Sequence, residues 1–340
     1  MEPIDFNNVS HRRYNILTGE WVLVSPHRTK RPWQGQEEII AHEQRPIYDD
    51  SCYLCPGNTR AGGAVNPEYT DTFVFDNDYA AIQRDLDFES REDGLLRSET
   101  EVGICRVVCF SPDHSKSLAD LPVSSIEKVI MVWQQQFTEL AREDFVNYIQ
   151  IFENKGSVMG CSNPHPHGQI WAHHSIPNEV QKKDKFQQRY FQANGKSLLG
   201  SYLQQEMAVN ERVVYENSAF SVLVPFWAVW PYEVMILPKE HQYDITMLST
   251  VEMKLFAEAL SKITRAYDRL FKVSFPYSSG IHQAPTNHKA KEYWHWHMSF
   301  YPPLLRSATV KKFMVGYEMF ATPQRDHTPE YAAMVLKNLF

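Results

Sequence analysis

Between residues 122 and 143 apolar side chains return at i, i+3, i+4 and i+7 (PVSSIEKVIMVWQQQFTELARE), the period of a helix with one buried face. A second stretch of the same kind lies near 251–270. Elsewhere the apolar positions crowd into short runs that predict strands. Within 11–35, TGEWVLVSP reads as a strand followed by a basic loop, HRTKRPW. The segments DTFVFDNDYAAIQ (71–83) and EVGICRVVCF (101–110) read as strands, as do residues 146–153 and 167–173. Residues 36–70 are polar and rich in turn formers, and they contain the pair Cys52 and Cys55.

The plan of the first half returns in the second. VVCFSPDH (107–114) is followed by Leu118, Leu121 and a helix; VMILPKEH (234–241) is followed by Ile245, Leu248 and a helix. Each half then reaches a histidine-rich strand, HPHGQIWA at 165–172 and HWHMSFYPP at 295–303. The histidines keep similar offsets, 127 residues from His114 to His241 and 130 from His165 to His295. One duplication explains this better than a repeat array. The expected class is α+β: two related halves, 1–177 and 178–340, each an antiparallel sheet with covering helices.

Composition narrows the function. With 43% hydrophobic residues in 340, the chain can bury a substantial core. A net charge of −7 and the lack of a Lys/Arg run argue against a nucleic-acid partner. The N-terminal residues carry no apolar signal region and no apolar stretch reaches membrane-spanning length, so no membrane partner and a cytoplasmic location are expected. Five cysteines in such a chain point to metal or thiol chemistry rather than a disulfide scaffold.

Cys52-Tyr-Leu-Cys55, followed by Pro56-Gly57, can fold both thiolates onto one ion, and the spacing suits zinc. A closed site needs two more ligands. No second C-x₂-C exists, so His114 and His165 are the candidates. On a strand, His165, His167 and Gln169 would face the same side. With His165 on the metal, His167 is left for chemistry. A neutral imidazole is a nucleophile that can carry a phosphoryl or nucleotidyl group. Gln169 can donate to a phosphoryl oxygen where charge builds, and the run Gly160-Cys161-Ser162-Asn163 gives a tight loop with backbone N–H groups near the same point.

These segments, together with CFSPDHSK (109–116), FENKGSVMGCSNPHPHGQIWA (152–172), FPYSSGIHQAP (275–285) and YPPLLRSATVKKFMVGYEM (301–319), resemble the galactose-1-phosphate uridylyltransferases, a branch of the histidine-triad superfamily. The resemblance covers nearly the whole chain. It implies a ping-pong reaction in which UDP-glucose leaves UMP on His167 and galactose 1-phosphate then takes it up. It assigns Cys52, Cys55, His114 and His165 to Zn2+. It assigns His167 as nucleophile, with Gln169 and Ser162 on phosphoryl oxygens. Ala61, Asn77, Asp78, Phe152, Asn154 and Gly160 fall where the family seats uracil, ribose and phosphate, and Arg28 and Arg31 match a basic loop near the nucleotide. The resemblance also implies a homodimer with shared sites. Lys312, Phe313, Val315, Tyr317, Glu318 and Gln324 would then reach the other subunit's hexose and phosphates.

One departure stands out. Bacterial members carry a second metal, usually iron, on a Glu and three His. The matching positions here are Lys183, His282, His297 and Ser299, so that site is expected to be lost. His295, Glu179 and Asp184 are the residues that could stand in. A zinc hydrolase is disfavoured because four protein ligands leave no position for water. A phosphorylase using the same histidine with inorganic phosphate as acceptor is the rival reading, and a non-catalytic nucleotide-binding protein is a third.

Overall fold

The computed structural model describes residues 5–30, 45–287 and 291–340; Arg31 lies outside them. Nine strands form one continuous antiparallel sheet: β1 (Phe73–Asp76), β2 (Gly103–Cys109), β3 (Tyr148–Lys155), β4 (His167–His173), β5 (Val213–Glu216), β6 (Phe220–Leu223), β7 (Val234–Pro238), β8 (Tyr277–His282) and β9 (His297–Tyr301). Their order across the sheet is β1-β2-β4-β3-β8-β9-β7-β6-β5. The first four come from one half and mirror β6-β7-β9-β8 of the other, with β5 added at the far edge.

The halves do not keep separate sheets, as the sequence reading supposed. Their inner strands, β3 and β8, pair directly, Ile151 against Ile281. A single row of apolar partners therefore crosses both halves in register: Ile170, Ile151, Ile281, Met298, Ile236 and Val222, all buried. Two half-sheets, each with one exposed inner edge, remove both edges by joining.

Helices α1 (Val123–Leu140) and α4 (Thr250–Phe271) cover that row and pack on each other. Ile126, Val129, Ile130, Trp133, Phe137 and Leu140 give α1 its buried stripe. Ser249 and Glu252 form a capping box at the start of α4. On the opposite face, helices α2 (Asn178–Asn194) and α3 (Leu198–Val209) cover the C-terminal half. The Cys52–Tyr69 segment covers the N-terminal half there. A small sheet ties the chain ends together, His11–Tyr14 against Trp21–Val24 and Gln324–Arg325 beside the latter. After a single helical turn at Tyr317–Phe320 comes a further helix, α5 (Pro329–Lys337). No described helix is long and apolar enough to cross a membrane.

Candidate active site and metal centre

The row one residue along from the apolar one faces the other way and is chemically different. Gln169, Phe152, Gly280, Ser299, Met235 and Leu223 stand side by side across the same strands. His167 begins β4 beside Cys109 of β2. His167 and Gln169 thus share one face. His165 does not belong to the strand, contrary to the sequence reading. Prolines at 164 and 166 flank it and cannot donate to a ladder. Its ring is thereby released towards the cysteines. Gly168 has a steric reason to be glycine: a Cβ there would lie 2.8 Å from the Phe110 ring and 2.9 Å from the Phe152 carbonyl.

Cys52, Cys55, His114 and His165 are all buried, and their ligand atoms lie within 4.8 Å of one another. Cys55 Sγ is 3.7 Å from His114 Nδ1 and 3.6 Å from His165 Nδ1. A tetrahedral zinc with bonds of about 2.3 Å to sulfur and about 2.0 Å to nitrogen would set such S–N edges at roughly 3.5 Å. The residues present therefore fit that ion. The turn is built for it: Cys55 N–H donates to the Cys52 carbonyl (3.1 Å), and Asn58 Nδ2 donates to the same carbonyl (2.8 Å). Leu54 N–H and Asn163 Nδ2 point at Cys52 Sγ from 3.4 and 3.3 Å, which favours a thiolate.

Each histidine is held from behind. His165 Nε2 donates to the Ser111 carbonyl at 2.9 Å, with the Tyr69 hydroxyl 3.0 Å away, and His114 Nε2 lies 4.0 Å from the Asp49 carboxylate. Such outer contacts fix the ring and leave Nδ1 for the ion. Burial pushes the Cys55 thiol up to about 11 and the His165 imidazole down to about 4. The histidines are thus neutral ligands, while the Cys55 thiol needs a cation to lose its proton. Asn163, Tyr69 and Asp49 were not foreseen as supports, because their roles depend on contacts between loops far apart in sequence.

His167 Nδ1 lies 2.7 Å from the His165 carbonyl. That bond puts the proton on Nδ1 and the lone pair on Nε2. Burial lowers the pKa of the ring, keeping it neutral. His167 lines a cleft of about 630 Å³ with Ser162 and Asn154 and the cations Arg45, Lys116, Lys155 and Lys311. A neutral nucleophile among cations suits a phosphorylated, anionic ligand.

Residues 1–177 match the model of the galactose-1-phosphate uridyl transferase N-terminal domain, and residues 182–340 match that of its C-terminal domain. The chain belongs to the galactose-1-phosphate uridylyltransferase family. The Haemophilus influenzae galactose-1-phosphate uridylyltransferase is 52% identical over 330 residues, 97% of this chain and 94% of that protein. The Saccharomyces cerevisiae enzyme of that name is 46% identical over 354 residues, 99% and 96% of the two chains. A solved uridylyltransferase structure matches with a TM-score of 0.78 at 28% identity, covering 96% of this chain and 97% of that one. An ADP-glucose phosphorylase from Arabidopsis thaliana matches at 0.77 and 25% identity, covering 96% and 98%.

The positions carried over from the uridylyltransferase motifs fall into three groups. His165, His167, Ser162 and Asn154 line the one cleft, with Gln169 and Phe152 on the sheet face beside it. Gln169 Oε1 accepts the Trp171 indole N–H (3.0 Å), which leaves its NH₂ for another acceptor. The Trp171 ring meets Phe152 edge-on, and Asn154 accepts from Ser278 at 2.7 Å. Gly160 takes a left-handed conformation (φ 79°) at the end of the preceding turn. Ala61, Asn77 and Asp78 form a second group at the outer edge, where Arg60 stacks on Phe75 and lies 3.8 Å from Asp78.

The third group is built on the C-terminal segment. Lys312 pairs with Glu318, Phe313 meets Trp230 edge-on, and Gln324 donates to Asp326 at 3.0 Å. Arg28 joins this group through Asp326 (3.2 Å). Val315, Tyr317, Met319 and Phe320 stand 55%, 57%, 69% and 89% exposed on it, an apolar surface facing solvent in the single chain.

The positions at which a second metal was expected from the resemblance hold a different arrangement. His282 and His297 pair across β8 and β9 with stacked rings (4.8 Å apart), and Lys183 of α2 is buried against them. The stand-ins are engaged elsewhere. His295 Nε2 donates to the Pro238 carbonyl (2.9 Å), Asp184 accepts from Tyr293 and Trp294, and Glu179 pairs with Lys182 on the surface.

Proposed function

We propose that this chain moves UMP from UDP-glucose to galactose 1-phosphate in two displacements at His167. The observation that carries the reading is the His167 Nδ1–His165 carbonyl contact (2.7 Å) at the mouth of a cationic cleft. In the first step Nε2 attacks the α-phosphorus of UDP-glucose. The new N–P bond forms as the P–O bond to glucose 1-phosphate breaks, and the leaving phosphate keeps the electron pair. The uridylylated ring is then cationic, and its Nδ1–H stays on the His165 carbonyl, which stabilises it. In the second step a phosphate oxygen of galactose 1-phosphate attacks phosphorus from the opposite side, the N–P bond breaks, and UDP-galactose leaves with the imidazole restored. Gln169 and Ser162 donate to the non-bridging oxygens. Ala61, Asn77, Asp78, Phe152, Asn154 and Gly160 seat the nucleotide.

Zinc on Cys52, Cys55, His114 and His165 would fix the turn that presents His167 rather than activate water, since four protein ligands close its shell. The second metal is absent from this reading. The protein acts as a homodimer of two-half chains (1–177 and 178–340), with Lys312, Phe313, Val315, Tyr317, Glu318 and Gln324 serving the other subunit's site. The exposed apolar side chains of that segment support this arrangement. So does the ion pair that gathers Arg28 with it. Five cysteines free of disulfides agree with work in the cytoplasm.

Incubation with UDP-glucose followed by intact mass measurement tests the chemistry. The expected result is a UMP-sized gain on peptides containing His167, absent in His167→Ala. A fully active His167→Ala enzyme, or an adduct elsewhere, overturns it. Offering galactose 1-phosphate and inorganic phosphate to the adduct in separate arms decides the acceptor; faster discharge by phosphate would favour a phosphorylase.

A further inference from the structure

We infer that Arg45 is a positioning residue for the metal-bearing loops and, through them, for His167. The inference rests on the reading above and adds a residue to it. The two histidines of the Cys/His cluster sit on loops that are distant in sequence, around 112–117 and 162–166. Each loop presents backbone carbonyls next to its histidine, and Arg45 binds both sets. One terminal nitrogen of its guanidinium donates to the Pro164 carbonyl at 2.5 Å. The other donates to the Ser115 and Lys116 carbonyls at 3.2 and 3.4 Å. Pro164 directly precedes His165, and Ser115 directly follows His114.

The same stretch of chain makes a further tie two residues on, where His114 N–H donates to the Ile47 carbonyl at 2.8 Å. Five residues later it enters the turn that carries Cys52 and Cys55. One segment thus links all four ligands, and within it Arg45 reaches the backbone of both histidine loops without being a ligand itself.

The consequence for chemistry runs through one peptide unit. The His165 carbonyl sets the proton on His167 Nδ1, and Pro164 is the residue on which His165 is mounted. A planar fork with five donors can hold carbonyls on two loops at once; a lysine ammonium is a point donor with a different reach. Arg45 also lines the cleft itself, so a direct contact with substrate phosphate is the competing role. The two roles predict different kinetics. A positioning residue mainly changes kcat and the retention of the ion, whereas a ground-state substrate contact mainly changes KM.

The test compares wild type, Arg45→Met and Arg45→Lys as full-length protein. Hydrogen exchange read by mass spectrometry on peptides spanning 112–117 and 162–167 should quicken in both for Arg45→Met and in part for Arg45→Lys, with the α1–α4 core peptides unchanged. Unchanged exchange in those two loops overturns the inference whatever the activity shows. Zinc release to a chelator should speed up about tenfold or more in Arg45→Met, the usual scale for losing an outer support. Uridylyl transfer should lose kcat by about tenfold with KM for UDP-glucose moving less than about threefold; a raised KM at constant kcat makes Arg45 a substrate ligand and also overturns it. Should wild type itself form no adduct, the proposed function fails, and the exchange experiment still decides the role of Arg45.

Discussion

Lys183 Nζ lies 3.5 Å from His297 Nε2, sealed between helix α2 and the sheet. Burial holds the amine down to about 7, only partly offset by Glu179 and Glu233, and lowers the His282 and His297 pKa values well below the usual histidine range. The two imidazoles are therefore neutral near pH 7 while the amine is about half protonated, and the group ties α2 to β8 and β9 through the Lys183–His297 contact and ring packing. No carboxylate stands at the Lys183 position, so a divalent ion would meet an amine there instead of a negative charge. Metal analysis of purified protein should find about one zinc per chain and no stoichiometric iron. A second metal held through His282 and His297 would refute this. Lys183→Glu with Ser299→His should create a second metal-binding position, read by the same analysis.

The same amine makes a prediction about pH. Its pKa is near 10.5 in the unfolded chain and about 7 in the folded one, so the native state holds fewer protons between those values. Its contribution to stability is therefore greatest above about 10.5, is lost as pH falls towards 7, and is constant below. Lys183→Met removes this slope. The difference in unfolding free energy between variant and wild type should favour the variant increasingly as pH drops from 10 to 7, by up to about 1.4 kcal/mol per unit. Denaturant titrations at several pH values measure it, and a difference that does not change with pH would show the amine to be solvated.

Much of this was legible in the sequence, and the failures have physical causes. The period of Ile126, Val129, Ile130, Trp133 and Phe137 marks a helix because one face alone is buried. Cys52, Cys55, His114 and His165 were legible because metal ligation restricts residue types and spacing. The joining of two half-sheets was not legible, since Ile151 and Ile281 read the same whether a strand edge is covered by solvent, loop or another strand. Nor was the departure of His165 from the strand read out, although Pro164 and Pro166 held the signal. Helices α2 and α3 were missed because polar residues dominate the first, and its buried positions include Lys183 and Gln187.

Asn163 is the support most exposed to test at the metal centre. Its Nδ2 donates towards Cys52 Sγ (3.3 Å), and its Oδ1 accepts the His165 N–H (2.9 Å). Asn163→Ala removes both contacts at once without touching a ligand. Zinc affinity should fall by about 10- to 100-fold, with a parallel loss of transfer activity. Competition with a fluorescent chelator reads the affinity; wild-type affinity in the variant would show these contacts to be incidental.

Glu330 links the two ends of the chain. Arg13 binds it with two donors at 2.7 and 2.8 Å, and Arg212 adds a third at 2.5 Å. Burial alone would raise the carboxyl, but the guanidinium groups outweigh it and hold the pKa at about 2, against 4.5 when unfolded. A depressed carboxyl contributes its stability above about pH 4.5 and loses it as pH falls to about 2. The contribution at neutral pH is at most roughly 3 kcal/mol. Glu330→Gln should lower stability at pH 7 and make the wild-type and variant curves converge below pH 3. Parallel curves across that range would exclude the linkage.

The shared site gives the last prediction. If the segment bearing Lys312 serves the other subunit, a chain lacking His167 and a chain lacking Lys312 fail for different reasons. In a mixed dimer one of the two sites contains the mutant nucleophile and the mutant lysine together, and the other contains neither. His167→Ala and Lys312→Ala homodimers should each be at least about 100-fold impaired, the second because a cation facing a dianionic phosphate is lost. Unfolding and refolding the two together in equal amounts should then restore about a quarter of wild-type activity: half the dimers are mixed, and each has one intact site. If the segment instead folds back onto its own chain, every site in every mixed dimer keeps one lesion and no activity returns. Size-exclusion chromatography in the same experiment separates this from a failure to dimerise, because the apolar surface of Val315, Tyr317, Met319 and Phe320 would then remain uncovered in a monomer.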